Sequence, residues 1–280
     1  MENEIQTEML TETLTKVKTT HCLNCGTEFE GNFCPECGQS ADTGRFTMKF
    51  IFENLLAAFI SKDGGIWFTI KNLFTRPGAM IVDIINGKRK SFFSPFPLLF
   101  LVLAVFILVY SFTGSRDYVK KVETVVEASK EEGDQTKYFA QKTIADALNF
   151  YNENNTLCYL LTLPFLAFAA RICYGRQNRK RYNWAEYIII LVYASVFVIL
   201  YRIIGSLVYL ASPHVSYNMM LILPLITIIA LTACFGKVMG FGIAQTFLRS
   251  ILTYILYFLM ITSLGFIAIS IITFSQTGGI

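Results

Sequence analysis

Apolar residues along this chain gather into five long runs, at 94–112, 157–175, 185–210, 216–235 and 247–274. A helix needs about 17–25 predominantly apolar residues to cross the hydrocarbon core of a bilayer. Each run therefore predicts one transmembrane helix. The first and last contain no acidic residue. The middle three carry a Pro, an Arg or unusual length, which membrane helices accommodate because neighbouring helices re-satisfy the freed polar groups. The fold class expected is an all-α polytopic membrane protein of about five transmembrane helices, occupying 94–274, with a small N-terminal four-cysteine zinc ribbon.

The polar stretches divide the rest. Residues 1–20 hold four Glu, two Lys and no aromatic residue, which predicts a disordered tail. Their acidic, interrupted pattern does not read as a secretory signal. Residues 46–93 are aromatic and basic but too broken to cross a membrane. They predict short helices over 46–60, 66–74 and 79–86, with Asp63-Gly64-Gly65 ending the first. Two placements fit them. Trp67 and the Phe residues can dip into the cytoplasmic interface with Lys49, Lys62, Lys71 and Arg76 facing anionic lipid, or the helices can pack as ordinary core on the inner face of the bundle. Residues 114–155 predict two amphipathic helices outside the membrane, one carrying Val122, Val125 and Val126 and the other Ile144, Leu148 and Tyr151, with a break near Gly133-Asp134.

Composition agrees with the runs. Of 280 residues 54% are hydrophobic and 16% charged, well below the roughly 25% charged residues of a soluble domain. The net charge of +4 matters through its placement. Arg76, Lys88, Arg89 and Lys90 precede the first run, Arg171, Arg176, Arg179, Lys180 and Arg181 lie between the second and third, and Lys237 and Arg249 between the fourth and fifth. The opposite loops carry a net −2 over 114–155 (six basic, eight acidic) and no Lys or Arg in 212–217 or 275–280. By the positive-inside rule the N-terminus is cytoplasmic and the C-terminus extracytoplasmic.

That topology keeps the cysteines of HCLNCGTEFEGNFCPECGQS (21–40) in a reducing compartment, where paired CxxC motifs bind metal more readily than they form disulfides. Cys22, Cys25, Cys34 and Cys37 form two knuckles eight residues apart, each ending in Gly. Four thiolates at that spacing suit tetrahedral Zn²⁺ in a closed, structural shell, and metal binding supplies the folding free energy that so short a module lacks. His21 is a spare neighbour, since four thiolates fill the shell. With Glu28, Glu30 and Glu36 and no Lys or Arg, the ribbon is a poor nucleic-acid binder and a better platform for a protein partner. The polar, Gly-containing stretch 38–46 reads as a linker that leaves the ribbon independent of the bundle.

In order along the chain, CLNCG (22–26), FCPECGQ (33–39), DGG (63–65), LFTRPG (73–78) and INGKRKSFFSP (85–95) are followed by apolar spans. In these motifs the chain resembles a family of bacterial membrane proteins, common among Bacteroidota, catalogued as a domain of unknown function. The resemblance covers 22 to about 112 and implies a short zinc ribbon on a polytopic inner-membrane protein. It implies no activity. A fainter, topology-level likeness is to Yip1-type proteins, with a cytoplasmic N-terminus and five spans.

Within the bundle, LTLPFLAFAARICYGR (161–176) and LILPLITIIALTACFGK (221–237) share a Pro, then Cys, an aromatic, Gly and a base; either 157–211 and 216–274 are a parallel repeat of a helical hairpin, or the likeness is the chance recurrence of Leu-Pro in apolar sequence, with Pro164 and Pro224 as kinks in both cases. Arg202 is the one basic residue deep in a run, and Glu186 falls near Arg171 and Arg181. His21 and His214 are on opposite sides of the membrane, and Cys158, Cys173 and Cys234 lack a companion base. No catalytic constellation follows. Two functions remain: a membrane-embedded interaction or scaffold protein, or a transporter or channel for a small, apolar or lipid-like substrate with the ribbon as a regulatory element. Convergence of Ser195, Thr227 and Thr253 on a cavity would favour the second.

Overall fold

The structure, a computed structural model, describes residues 20–49, 65–113, 141–142, 145–146, 155–178, 182–212, 219 and 221–277. The tail 1–19, most of the segment 46–60, the apolar residues of both predicted helices in 114–155, and His214 lie outside them. The chain forms two compact units, Met1–Ser94 and Pro95–Ile280.

In the first unit, β1 (Thr20–His21) pairs antiparallel with β2 (Glu28–Phe29), and an isolated bridge joins Phe33 to Ser40. Each pairing closes one CxxC knuckle. Gly26 N–H donates to Cys22 O at 2.9 Å, and Gly38 N–H to Cys34 O at 2.8 Å. Both glycines are left-handed, φ +83° and +71°, which is why Gly follows each second cysteine. Helix α1 (Ile66–Thr75) ends at Arg76 because Pro77 bars the helical conformation from the residue before it. Pro77 then opens α2 (Pro77–Ile85), two residues earlier than the pattern predicts, because its fixed φ and missing N–H suit a first helical position.

The second unit holds α3 (Pro95–Thr113), α4 (Asn155–Asn178), α5 (Trp184–Ala211), α6 (Leu223–Met239) and α7 (Ile243–Thr277), one for each apolar run. Among the described residues, three stretches are long and apolar enough to cross a membrane: α3, α5 and Ile243–Ile267 of α7. The apolar helices Leu160–Gly175 and Leu223–Met239 are shorter. Pro164 lies inside α4 as expected, but Pro224 does not kink a helix. It stands in the first turn of α6, where no intrahelical bond is lost.

Helix α5 is central. Tyr187, Ile189–Tyr193, Val196 and Ile199 are buried around most of its circumference, the environment of a helix that is apolar on every side. It starts with a capping box, Glu186 N–H donating to Asn183 Oδ1 at 3.0 Å and Asn183 N–H to Glu186 Oε2 at 2.8 Å. Helix α3 packs on α5, α4 packs on α7, and α6 packs on α5. Helix α4 also packs on α5, and α6 on α7, so the two hairpins α4–α5 and α6–α7 pack against each other as well as within themselves. Tyr174 and Phe235, which occupy matching places in Cys-Tyr-Gly and Cys-Phe-Gly, stack on each other with centroids 4.5 Å apart and planes 14° apart. Equivalent residues meeting face to face are what two similar hairpins related by a pseudo-two-fold axis produce.

Hydroxyls tie this junction. Tyr174 OH lies 2.9 Å from Thr246 O and 2.7 Å from Ser250 Oγ, and Thr232 Oγ1 lies 2.9 Å from Ser250 Oγ. Bonds of this kind between membrane helices contribute about 0.6–1.7 kcal/mol. Tyr174→Phe should therefore destabilise the folded protein by about 1 kcal/mol. Reversible unfolding in mixed micelles measures this, and an unchanged midpoint would show that the network adds nothing.

Candidate metal centre

The knuckles bring all four predicted ligands together. Cys22 and Cys37 place their sulfurs 3.5 Å apart, as do Cys25 and Cys34, and all four sulfurs fall within 4.8 Å of one another. A tetrahedron with metal–sulfur bonds of about 2.3 Å has edges of about 3.8 Å. The donor set therefore fits one tetrahedral ion. Cys22 and Cys34 are buried and, with Phe29, form the core of the ribbon, Cys37 and Ala41 packing against it. His21 is exposed on β1 and takes no part in the cluster.

Two thiols are pulled in opposite directions. The Thr27 hydroxyl, 3.3 Å from the Cys25 sulfur, and the Thr27 backbone hold Cys25 down to about 6. Burial pushes Cys37 up to about 11. Metal uptake must displace the proton from Cys37, so binding releases protons and strengthens as pH rises.

The ribbon is fastened to the loop that follows α2, and the polar stretch 38–46 is part of the fastening. The stretch 38–46 is thus not a free linker, and all of the contacts that fasten it lie within the first unit. Gln39, 5% exposed, donates from Nε2 to Gly87 O at 2.9 Å and accepts from Arg89 N–H at 3.1 Å and Lys90 N–H at 3.2 Å. Asn24, inside the first knuckle, accepts from Ser91 N–H at 3.1 Å and from Ser91 Oγ at 2.9 Å. Arg89 donates to Gly44 O, and its guanidinium lies 3.7 Å from the centre of the buried Phe46 ring. Leu23 comes so close to Gly87 that a Cβ there would sit 2.5 Å from its Cδ1. Gly87 also has φ +105°, so the close approach and the turn both require glycine. Asn24, Gln39, Gly87, Arg89 and Ser91 did not stand out as site residues in the sequence. They were nonetheless inside the strings CLNCG, CGQ and NGKRKS.

The other singled-out residues do not join the centre. The Arg171 guanidinium lies over Trp184 at 4.5 Å and Tyr187 at 5.6 Å. Arg202 lies 4.4 Å over Phe106, about 27 Å along α5 from Trp184 at 1.5 Å per residue, near one end of a hydrocarbon span. Cys234 is buried and Cys173 half-buried among the helices. Thr227 and Thr253 donate to Leu223 O and Arg249 O of their own helices. A cavity of about 630 Å³ opens between α6 and α7, lined by Ile229, Thr232, Lys237, Phe241, Thr246 and Phe247 among others, and none of Ser195, Thr227 or Thr253 lines it.

Residues 63–107 match the family described as "Protein of unknown function (DUF3667)". The match runs from Asp63 through α1, α2 and the clamped loop into α3, and the ribbon lies outside it. Comparison with curated proteins and with solved structures gives no match.

Purified protein should carry one zinc per chain, and Cys34→Ser with Cys37→Ser should remove it, as read by elemental analysis. At fixed chelator, retention should fall as pH drops from about 8 to about 5, since protons compete for the thiolates. Full zinc content in the double variant, or loading that rises on acidification, would contradict the site. Gln39→Ala leaves three backbone groups of the 87–90 loop unpaired, a cost of about 1–3 kcal/mol for each group that water does not reach. It should raise hydrogen exchange at Arg89 and Lys90 while zinc content stays constant.

Proposed function

We propose that this chain is a non-enzymatic interaction or scaffold protein of the bacterial cytoplasmic membrane, whose Cys22, Cys25, Cys34 and Cys37 hold a structural Zn²⁺ on the cytoplasmic side. The observation that carries the proposal is the clamp. A four-cysteine ribbon is held by Asn24 and Gln39 to the basic loop 87–91, four residues before an apolar helix of membrane length begins at Pro95. A closed thiolate shell leaves no open position for catalysis, so a ribbon held in this way serves as a rigid surface next to the membrane.

Five spans, with the N-terminus inside and the C-terminus outside, account best for the charges. Arg76, Lys88, Arg89 and Lys90 precede α3, and Arg171 and Arg176 end α4, while the opposite loops lack a basic excess. In this reading α4 and α6 cross beside the three longer helices, and 46–93 lies in the cytoplasmic interface. The exposed face of the ribbon carries Glu28, Glu30, Glu36 and Phe33, the last 67% exposed. Acidic groups around an apolar tip suit a basic protein partner and repel nucleic acid. The scaffold is favoured over a transporter because Thr227 and Thr253, which a polar pathway would use, bond to their own helix backbones.

A photo-crosslinking residue in place of Phe33 in the full-length chain tests the partner, and a reporter active only outside the cytoplasm, fused after Ile280, tests the topology. The expected results are one crosslinked protein, lost in Cys34→Ser with Cys37→Ser, and an active C-terminal reporter that falls silent when moved to Gly87. An inactive C-terminal reporter would overturn the odd number of spans. An unchanged crosslink without the metal ligands would overturn the ribbon as the platform.

A further inference from the structure

Helix α1 presents its apolar residues outward. Trp67 is 84% exposed, Phe74 48% and Phe68 45%, whereas Thr69, Asn72 and Leu73 are buried. At 100° per residue, positions 67, 68, 71, 74 and 75 fall within an arc of about 120°, and 69, 72 and 73 lie on the opposite side. The outward face is therefore three aromatic rings with Lys71 among them and Thr75 at its edge. A helix stabilised only by its own unit would turn these rings in. The polar residues of α1 instead serve its fixed side: Thr69 Oγ1 accepts from Phe93 N–H at 2.8 Å, and Phe68 also meets Phe92 with ring centroids 5.4 Å apart. Asn72 is engaged as well, donating to Phe68 O and accepting from Arg76.

We propose that the Trp67–Phe68–Lys71–Phe74 face of α1 docks into the anionic headgroup layer of the membrane that this same chain spans. The proposal rests on the membrane-spanning reading above and adds to it the face and the lipid chemistry. Two observations identify the occupant. Thr69 fixes α1 to the amide of Phe93, with only Ser94 between that residue and the apolar helix that starts at Pro95. The charge is also one-sided: residues 65–94 hold Lys71, Arg76, Lys88, Arg89 and Lys90 against the single acid Asp83, which lies 3.6 Å from Arg76 and leaves Lys71 among the rings. Aromatic rings flanking a cation are the residues that settle at the headgroup boundary, where ring faces bury and the ammonium meets phosphate.

Trp67 reports on this directly, because the chain has two Trp and Trp184→Phe leaves Trp67 alone. Trp184→Tyr serves if that variant loses its fold. The full-length protein is placed in nanodiscs of phosphatidylcholine with or without phosphatidylglycerol. Trp67 emission should shift to the blue, be quenched by lipids brominated high on the acyl chain, and resist aqueous iodide. Phosphatidylglycerol should strengthen the lipid quenching, and Lys71→Glu should remove that gain. Quenching by iodide as for a free indole, with no effect of brominated lipid, would overturn the proposal. So would shielding from both quenchers, which would mean that a second copy of the chain covers the face. Resistance of the chain to carbonate extraction tests the spans separately: an extracted protein sinks the membrane-spanning reading, and a retained one with iodide-accessible Trp67 sinks only the docking of α1.

Discussion

The hydrogen bonds of Gln39 are what the N-terminal unit depends on. A side-chain amide this deeply buried costs stability unless its groups are paired, and here one carbonyl and two N–H groups of the 87–90 loop supply the partners. Those backbone groups gain in turn, since a tight turn through Gly87 has no helix or strand to satisfy them. Gln39 lies two residues after the last ligand and Asn24 lies between the first two. The conformations that gather the four thiols are thus the ones that aim both amides. Metal binding and loop order are coupled through this geometry, and a short module with a core of three residues gains a second set of contacts.

A related constraint governs the helical unit, where there is little water to pair with. Thr227, Thr232, Thr246, Thr253 and Thr262 all return their hydroxyls to carbonyls of the preceding turn. Where hydroxyls reach across helices they cluster: Tyr174, Thr232 and Ser250 meet at one point between α4, α6 and α7. The cations follow the same logic. Arg171, Arg202 and Arg249 each lie over an aromatic ring, Trp184, Phe106 and Phe241 respectively, which offsets part of the cost of holding a cation beside apolar surface.

The helices and the four-cysteine cluster were legible because each depends on local pattern. An apolar run fixes a helix, and CxxC followed by Gly fixes a knuckle, as φ +83° at Gly26 confirms. A boundary shifted where one residue outweighed the pattern: Pro77 opens α2 two residues early. The clamp was not legible. It joins Gln39 to Arg89 and Asn24 to Ser91 across separations of 50 and 67 residues, and a Gln or Asn in a polar stretch carries no mark of a distant partner. The anchoring of 38–46 within the first unit was hidden for the same reason, since GQSADTGRF has linker composition whether or not Gln39 and Phe46 are buried.

The hairpin pair shows how a weak sequence pattern gains meaning from packing. Leu-Pro and Cys-aromatic-Gly strings recur often in apolar sequence, so their repetition alone carries little. Contact between the matching rings of Tyr174 and Phe235 is a stronger condition, because under a two-fold operation only residues near the axis can touch their own equivalents. The packing of α4 on α7 beside that of α6 on α5 is compatible with the same relation along the helices. The copies then diverge at the axis. Tyr174 carries the hydroxyl that reaches Ser250, whereas Phe235 carries none and packs on Tyr187 with centroids 6.0 Å apart. The α4–α7 contact thus joins two hydroxyls, whereas α6 meets α5 at this level through ring packing and the Tyr187 OH, which lies 4.0 Å from Met239 Sδ.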